Sequence, residues 1–125
     1  MNANEWILNV VQSFYDKAKT DVLIGYHFRV IEDFDSHIPR IATFWEMQLL
    51  GKPSRPVSHP FDMMNVHLPL IIKPGELGRW LILFRKTLDE QIALHPEFKS
   101  LREAWEERLV TFEGIFKKFL LNPNP

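Results

Sequence analysis

Residues 77–84 read Leu-Gly-Arg-Trp-Leu-Ile-Leu-Phe, and this stretch decides the fold. Its apolar side chains recur at intervals of three and four residues, and the pattern continues for one more turn. Such a period predicts a single apolar helix face, formed by Leu77, Trp80, Leu81, Phe84 and Leu88. Pro74 is suited to the first turn of a helix, so we predict an amphipathic helix over residues 74 to about 94.

The same helical period runs through the part of the chain that precedes this stretch. We predict a first helix over about residues 4 to 19, with Asn4 as its N-cap. One or two helical turns are expected between residues 21 and 31, and a longer helix is expected over residues 36 to 50. Pro39 is compatible with that longer helix only if it falls in the first turn.

The middle and the end of the chain complete an all-α pattern. Residues 51–62 contain three prolines and are predicted to form a loop that leads into a short helix at about residues 61 to 68. A last helix is predicted over residues 96 to 121, followed by a frayed tail at residues 122–125. No strand pattern and no internal repeat is found, so residues 1–125 are expected to form one all-α domain.

Composition limits the classes of function. The formal net charge of −1, with basic and acidic residues interspersed, gives no general attraction to nucleic acid or to an anionic membrane. The absence of cysteine excludes disulfides, thiolate metal sites and thiol nucleophiles, and it fits a reducing compartment. No export signal or membrane-spanning run is recognised, and a cytoplasmic location is expected. Phosphate-binding loops, His-Glu-x-x-His zinc motifs and nucleophile elbows are also missing.

His67 is the residue with the clearest chemistry. It lies in the apolar stretch 63–70, Met-Met-Asn-Val-His-Leu-Pro-Leu, and Trp80 follows thirteen residues later. A neutral imidazole serves as an axial ligand of haem iron, and an indole N–H can donate a hydrogen bond on the other side of the iron. Taken alone, however, a histidine on an apolar segment is more often a hydrogen-bonded core residue than a ligand.

Several motifs in the same order make the chain resemble the truncated haemoglobins of group III. The resemblance extends from Phe14 to about Leu88. It is carried by Phe14-Tyr-Asp-Lys17, Gly25 with Phe28, His37-Ile-Pro-Arg-Ile-Ala-Thr-Phe-Trp45, Leu49-Leu-Gly51, His67-Leu-Pro69 and Arg79-Trp-Leu-Ile-Leu-Phe84. Ordered, collinear matches of this kind are specific. The resemblance implies an all-α, truncated (2-over-2) globin-like fold that encloses haem b.

The resemblance also implies roles for particular residues. His67 corresponds to the proximal iron ligand, and His59 in the preceding loop is a rival without the matching distance from Trp80. Tyr15, His37 and Trp80 correspond to the distal polar residues that surround a bound gas. Because bound dioxygen carries partial negative charge, donors aimed at it are stabilising. For each of the three, packing or helix capping is the structural alternative.

A wider set of residues is expected to form the haem cavity. The predicted wall consists of Phe28, Phe44, Trp45, Met63, Met64, Leu68, Leu77, Trp80 and Phe84. Arg40 is a candidate partner for a haem propionate, with Arg55 as a second candidate, and either can instead be a solvated charge. The sequence departs from the family pattern in the loop between Gly51 and His67, which is long, and in the connection between Phe28 and His37, which is short.

These observations lead to an expectation about function. The chain is expected to bind haem and diatomic gases (dioxygen, nitric oxide and carbon monoxide). Redox chemistry or detoxification, with electrons from an unidentified reductase, is favoured over bulk transport, and dioxygenase or peroxidase-like activity stays open. Two alternatives remain at this point: a haem-based gas sensor or carrier that acts through a partner, and a haem-free all-α interaction domain.

Overall fold

A computed structural model describes residues 1–56 and 60–121, and every regular element in these ranges is helical. The α-helices are α1 (Ala3–Ala18), α2 (Gly25–Arg29), α3 (Phe34–Leu50), α4 (Met63–His67), α5 (Pro74–Leu94) and α6 (Lys99–Ile115). The predicted all-α class is therefore confirmed. None of these helices is both long and apolar enough to cross a membrane. His59 and the tail at residues 122–125 lie outside the described residues.

Helix α1 begins at Ala3 because Asn2, and not Asn4, is its N-cap. The Asn2 side chain accepts the backbone N–H of Glu5 at 2.8 Å, and the Glu5 carboxylate accepts the backbone N–H of Asn2 at 3.1 Å. This reciprocal pair satisfies two N–H groups that the first turn leaves free. The prediction that Asn4 caps the helix is wrong, since Asn4 lies within the first turn and its side chain bonds a distant carboxylate.

Helix α3 begins at Phe34, two residues before its predicted start. The Asp33 carboxylate caps it by accepting the backbone N–H of Ser36 at 3.2 Å. Pro39 is consequently the sixth residue of the helix and lies beyond the first turn where it was expected. It removes one intrahelical hydrogen bond near the start of a long helix. Gly51, with φ of 79°, ends the helix in the left-handed conformation that glycine tolerates best.

The four long helices meet at the ring of Phe84 on α5. Its ring centroid lies 4.8 Å from that of Phe14 on α1, 5.8 Å from that of Trp45 on α3 and 5.5 Å from that of Trp105 on α6. All four side chains are buried. A fully buried aromatic side chain stabilises a fold by about 1.5–3 kcal/mol relative to an exposed one, so this cluster is a large part of what holds α1, α3, α5 and α6 together.

The C-terminal segment is not the single helix that was predicted over residues 96 to 121. Single turns of 3-10 helix at Pro96–Phe98 and of π-helix at Phe116–Leu120 flank α6. An isolated parallel bridge then pairs Leu121 with Ile72, just before α5. Apolar periodicity does not distinguish these helix types, because a change of one residue per turn barely alters a short pattern. The bridge fixes the end of the chain's last helical turn next to the segment that follows α4.

Ile71, which leads from α4 towards α5, is strained. Its φ of 54° and ψ of 60° place it in the left-handed region, where a β-branched side chain crowds the backbone. Its side chain is 62% exposed, so burial offsets little of that cost. The strain lies between the segment that carries His67 and the start of α5.

We expect Ile71→Asn to raise the free energy of unfolding by about 1 kcal/mol, because asparagine tolerates the left-handed conformation better. Urea unfolding measures the change. Ile82→Asn is the matched control, since Ile82 is similarly exposed but lies within α5. It should lower the free energy of unfolding by a few tenths of a kcal/mol through helix propensity, roughly the difference between the two residues. Equal losses in both variants would contradict strain at Ile71.

Candidate functional site

A cavity of about 230 Å³ opens between the helices, and its walls are mostly aromatic and aliphatic. All six α-helices contribute side chains to it. The predicted site residues that line it are Tyr15, Phe28, His37, Phe44, Trp45, Met63, His67, Leu77, Trp80 and Phe84. The structure therefore brings together, around one cavity, residues that are as far apart in the sequence as Tyr15 and Phe84.

Three predicted site residues do not line the cavity: Arg40, Met64 and Leu68. In α4 the side chains of Met63 and His67 are four residues apart and share the face that turns inwards. Met64 and the following Leu68 form the next such pair, rotated by about 100°, and both are exposed. Arg40 is also exposed. Met64 and Leu68 are close to His67 in the sequence, and Arg40 is close to His37. That closeness was not enough to place their side chains around the cavity.

His67 has a defined tautomer. Its Nδ1 lies 2.6 Å from the carbonyl oxygen of Met63, and because a carbonyl can only accept, Nδ1 must carry the hydrogen. Burial lowers the pKa of His67, an effect that the bond to Met63 opposes and the nearby His27 reinforces. The ring is thus neutral and has a lone pair on Nε2. The aromatic rings of Phe61 and Phe116 pack edge-on to it, with centroids at 5.7 and 4.9 Å.

Tyr15 and His37 form a hydrogen-bonded pair, with 2.8 Å between the phenol oxygen and Nε2. Burial raises the pKa of Tyr15, so the phenol keeps its proton. Burial, followed by the charge of Arg40, lowers the pKa of His37, so the imidazole is neutral. The two neutral groups hold one O–H and one N–H, and their mutual bond uses one of these hydrogens. A ligand that enters here competes with that bond.

Trp80 packs in the same part of the cavity. Its ring stacks on Phe84 with centroids 4.9 Å apart and meets Phe14 edge-on at 5.3 Å. The side chain is half-buried, and its indole N–H makes no hydrogen bond within residues 1–56 and 60–121. Packing holds the Trp80 ring in place, and its indole N–H is left to donate to another partner.

A second polar group in the cavity wall was not predicted from the sequence. The buried Glu76 carboxylate accepts a hydrogen bond from Nε2 of His27 at 3.2 Å and one from the backbone N–H of Lys73 at 2.9 Å. It also accepts the hydroxyl of Tyr26. Burial acts to raise the pKa of Glu76, but the bonds from Tyr26, Lys73 and His27 together lower it, so the carboxylate is ionised. From the sequence, Glu76 could be recognised only as a residue in the first turn of a helix.

A third polar group secures the loop after α3. Glu46 is fully buried and accepts hydrogen bonds from the Asn4 amide at 2.6 Å, the Ser54 hydroxyl at 2.6 Å and the Arg55 guanidinium at 3.1 Å. Burial acts to raise the pKa of Glu46, but these bonds lower it overall. Arg55 is therefore committed to Glu46 and does not line the cavity. In the sequence, this role could have been recognised from the position of Glu46, a carboxylate next to Trp45 on the buried stripe of α3.

Comparisons with known proteins leave the site to be judged on its own geometry. No family model, curated protein or solved structure matches the chain. In the part of the chain that the structure describes, no three histidine, aspartate or glutamate side chains are grouped so that they could hold a metal ion. The arrangement offers a neutral imidazole, an apolar enclosure and separate hydrogen-bonding groups.

We expect the free energy of unfolding of the ligand-free chain to fall as the pH is lowered from about 7.5 to 5. The folded-state pKa values of His37 and His67 lie below 6.5, so the unfolded chain takes up their protons first. Each histidine contributes a slope of at most about 1.4 kcal/mol per pH unit. Urea unfolding at several pH values measures this slope. A His37→Gln/His67→Gln double variant should lose most of this slope, and the part that remains near pH 5 should come from carboxylates such as Glu46 and Glu76, whose folded-state pKa values are also lowered; an unchanged slope would contradict the assignment.

Proposed function

We propose that the chain is a haem-binding protein of the truncated, 2-over-2 globin type. In this proposal it binds dioxygen and other diatomic gases at an iron held by His67. One observation carries the proposal: His67 lines an aromatic cavity as a neutral ring whose Nδ1–H is occupied by the Met63 carbonyl. A carbonyl that accepts the hydrogen of the other ring nitrogen fixes the orientation of an iron-binding imidazole and increases its electron donation. The resemblance of the His37–Trp45 and Arg79–Phe84 motifs supports the fold assignment.

The residues present fit a haem group. Haem brings four nitrogen ligands of its own and needs one axial donor from the protein, so a lone imidazole in an apolar cavity is an appropriate donor set. When bound, haem b supplies an iron that binds gases and changes its oxidation state. Phe44, Leu77 and Phe84 form apolar walls that exclude water from such a group.

The polar residues suggest which chemistry is favoured. Tyr15, His37 and Trp80 supply O–H and N–H groups to a ligand that carries partial negative charge. Each bond contributes about 1–3 kcal/mol in a desolvated site, so two of them slow the release of dioxygen by two or more orders of magnitude. Slow release suits redox chemistry or detoxification better than oxygen delivery. Electrons would come from a reductase, which is the implied partner.

In this proposal His37 also gates the entry of ligands to the cavity, and its hydrogen bond to Tyr15 is what holds the gate closed. His37 is the fourth residue of α3 and is half-buried, and it turns away only if its 2.8 Å bond to Tyr15 breaks. In this proposal Tyr15 is the donor to Nε2 of His37, so a gas that accepts the phenol hydrogen replaces that bond. In this proposal ligand binding and the release of His37 are therefore linked.

The absorption spectrum of the purified protein tests the haem proposal directly. Wild type should show a Soret band, and His67→Ala should lose haem or bind it weakly, with partial recovery when imidazole is added. His59→Ala is the control and should keep the wild-type spectrum. A wild-type chain without a Soret band would favour the haem-free interaction domain, and an unchanged ferrous spectrum in His67→Ala would show that another residue binds the iron.

The distal residues are tested by gas release. Trp80→Phe and Tyr15→Phe remove a donor but keep most of the ring volume. At least one should raise the dioxygen dissociation rate about tenfold or more, equivalent to about 1.4 kcal/mol, with a smaller change for carbon monoxide. The effects need not add, because donors around one ligand share it. Stopped-flow dioxygen rates within a factor of about two of wild type in both single variants and the double variant would mean that these residues only pack.

A further inference from the structure

Tyr26 on α2 connects the protein surface to the wall of the cavity, and the gas-binding proposal makes no use of it. Its side chain is 45% exposed, and its ring packs on the ring of His27 with centroids 4.1 Å apart. Its hydroxyl donates a hydrogen bond to the buried carboxylate of Glu76. His27 and Glu76 both line the cavity, so Tyr26 contacts two residues of the cavity wall from the side that faces solvent.

The two oxygens of the Glu76 carboxylate have different partners. Oε1 accepts the backbone N–H of Lys73 at 2.9 Å and Nε2 of His27 at 3.2 Å, whereas Oε2 accepts the hydroxyl of Tyr26. Because an ionised carboxylate only accepts hydrogen bonds, Nε2 of His27 carries a hydrogen. A proton that moves from Tyr26 to Oε2 leaves both bonds at Oε1 in place. The carboxylate can therefore receive the phenol proton without losing its other partners.

The resting charge states of this pair are defined. The bond to Glu76, followed by burial, raises the pKa of Tyr26, so the phenol keeps its proton. Glu76 is ionised, because the bonds that it accepts lower its pKa. Removing one electron from a phenol reverses this order, since the resulting radical cation is a far stronger acid than a carboxylic acid. Loss of an electron from Tyr26 is therefore coupled to transfer of its proton to Glu76.

Tyr15, the other tyrosine of the chain, is not equivalent to Tyr26. It is 8% exposed and is bonded to His37 inside the cavity, so a molecule in solvent does not reach its ring. Tyr26 combines a positioned proton acceptor with a ring that solvent does reach. Of the two tyrosines, it is the one through which an electron can pass between the surface and the cavity.

The surface next to Tyr26 is apolar. Val22 and Leu23 precede Tyr26 by about one helical turn, and Val30 follows it by one turn, so the three lie near it. All three side chains are exposed. A neutral aromatic molecule buries apolar area against such a surface, which favours it over a hydrophilic anion.

We propose that Tyr26 is the site at which phenols are oxidised when hydrogen peroxide is reduced at the proposed haem. Tyr26 gives one electron to the oxidised haem, and its phenol proton moves to Oε2 of Glu76. A phenol at the surface then gives one electron to Tyr26 and one proton to water, and the proton on Glu76 returns to the Tyr26 oxygen. Two such cycles release the two electrons and two protons that convert one hydrogen peroxide into two waters. The proposal rests on the proposed function and names a substrate class for it.

A flash experiment on the full chain tests the pair without relying on haem. A photo-oxidised ruthenium tris-bipyridine complex in solution removes one electron from an accessible tyrosine, and transient absorption follows the tyrosyl radical. Tyr15→Phe leaves Tyr26 as the one tyrosine of the chain. Addition of Glu76→Gln keeps the size of the side chain but removes the proton acceptor, so oxidation of Tyr26 should slow by about tenfold or more. Equal rates in the two proteins would overturn the proposal.

The solvent isotope effect gives a second readout that leaves Glu76 unchanged. In Tyr15→Phe, oxidation of Tyr26 should be slower in deuterium oxide than in water, because a proton moves in the same step. The same rate in both solvents would mean that Glu76 does not take the proton, and it would overturn the proposal even if Glu76→Gln fails to fold.

Electron paramagnetic resonance after addition of hydrogen peroxide to the haem-loaded protein tests the electron path. Wild type and Tyr15→Phe should show a tyrosyl radical. Tyr26→Phe should lose the radical together with most of the oxidation of guaiacol, a neutral phenol. A radical that persists in Tyr26→Phe would overturn the assignment of Tyr26. A wild type with a Soret band but no tyrosyl radical overturns this inference alone, whereas a wild type without a Soret band overturns the haem proposal and the peroxide step with it.

Discussion

The rest of the structure depends on the convergence of aromatic rings at Phe84. Rings from α1, α3 and α6 all contact this one side chain of α5, so the relative positions of four helices are set at a single point. Phe84 also lines the cavity. Some of the residues that stabilise the fold by packing thus also form the wall of the candidate site. A substitution that changes the packing therefore also changes the shape of the cavity.

Around that aromatic wall, the polar groups determine which ring nitrogen of a histidine carries a hydrogen. The Met63 carbonyl places the hydrogen of His67 on Nδ1, and the Glu76 carboxylate places that of His27 on Nε2. Tyr15 and His37 share one bond between two neutral groups. Three histidines in one apolar cavity therefore have different chemical characters, because each has a different kind of partner.

The sequence predicts the helices well, because apolar periodicity reflects which face is buried. His67, Tyr15, His37 and Trp80, which the sequence analysis assigns to one site, all line the same cavity. The sequence fails where the answer depends on a partner distant in sequence or on helix rotation. Asn4 bonds Glu46 across 42 residues instead of capping its own helix, and Leu68 faces outwards although its neighbour His67 faces inwards. For the same reason Glu76 gave no sign of its contact with α2.

Glu46 has a consequence for how the molecule folds. Its buried charge is satisfied only when α1 supplies Asn4 and the loop after α3 supplies Ser54 and Arg55. A partly folded state with helices α1 and α3 docked but the loop detached would hold an ionised carboxylate in the interior without most of its partners, which is strongly unfavourable. Loop docking and helix docking are thereby coupled into one cooperative step. The loop after α3 has little apolar surface of its own, but this coupling makes it open together with the core and not before the core.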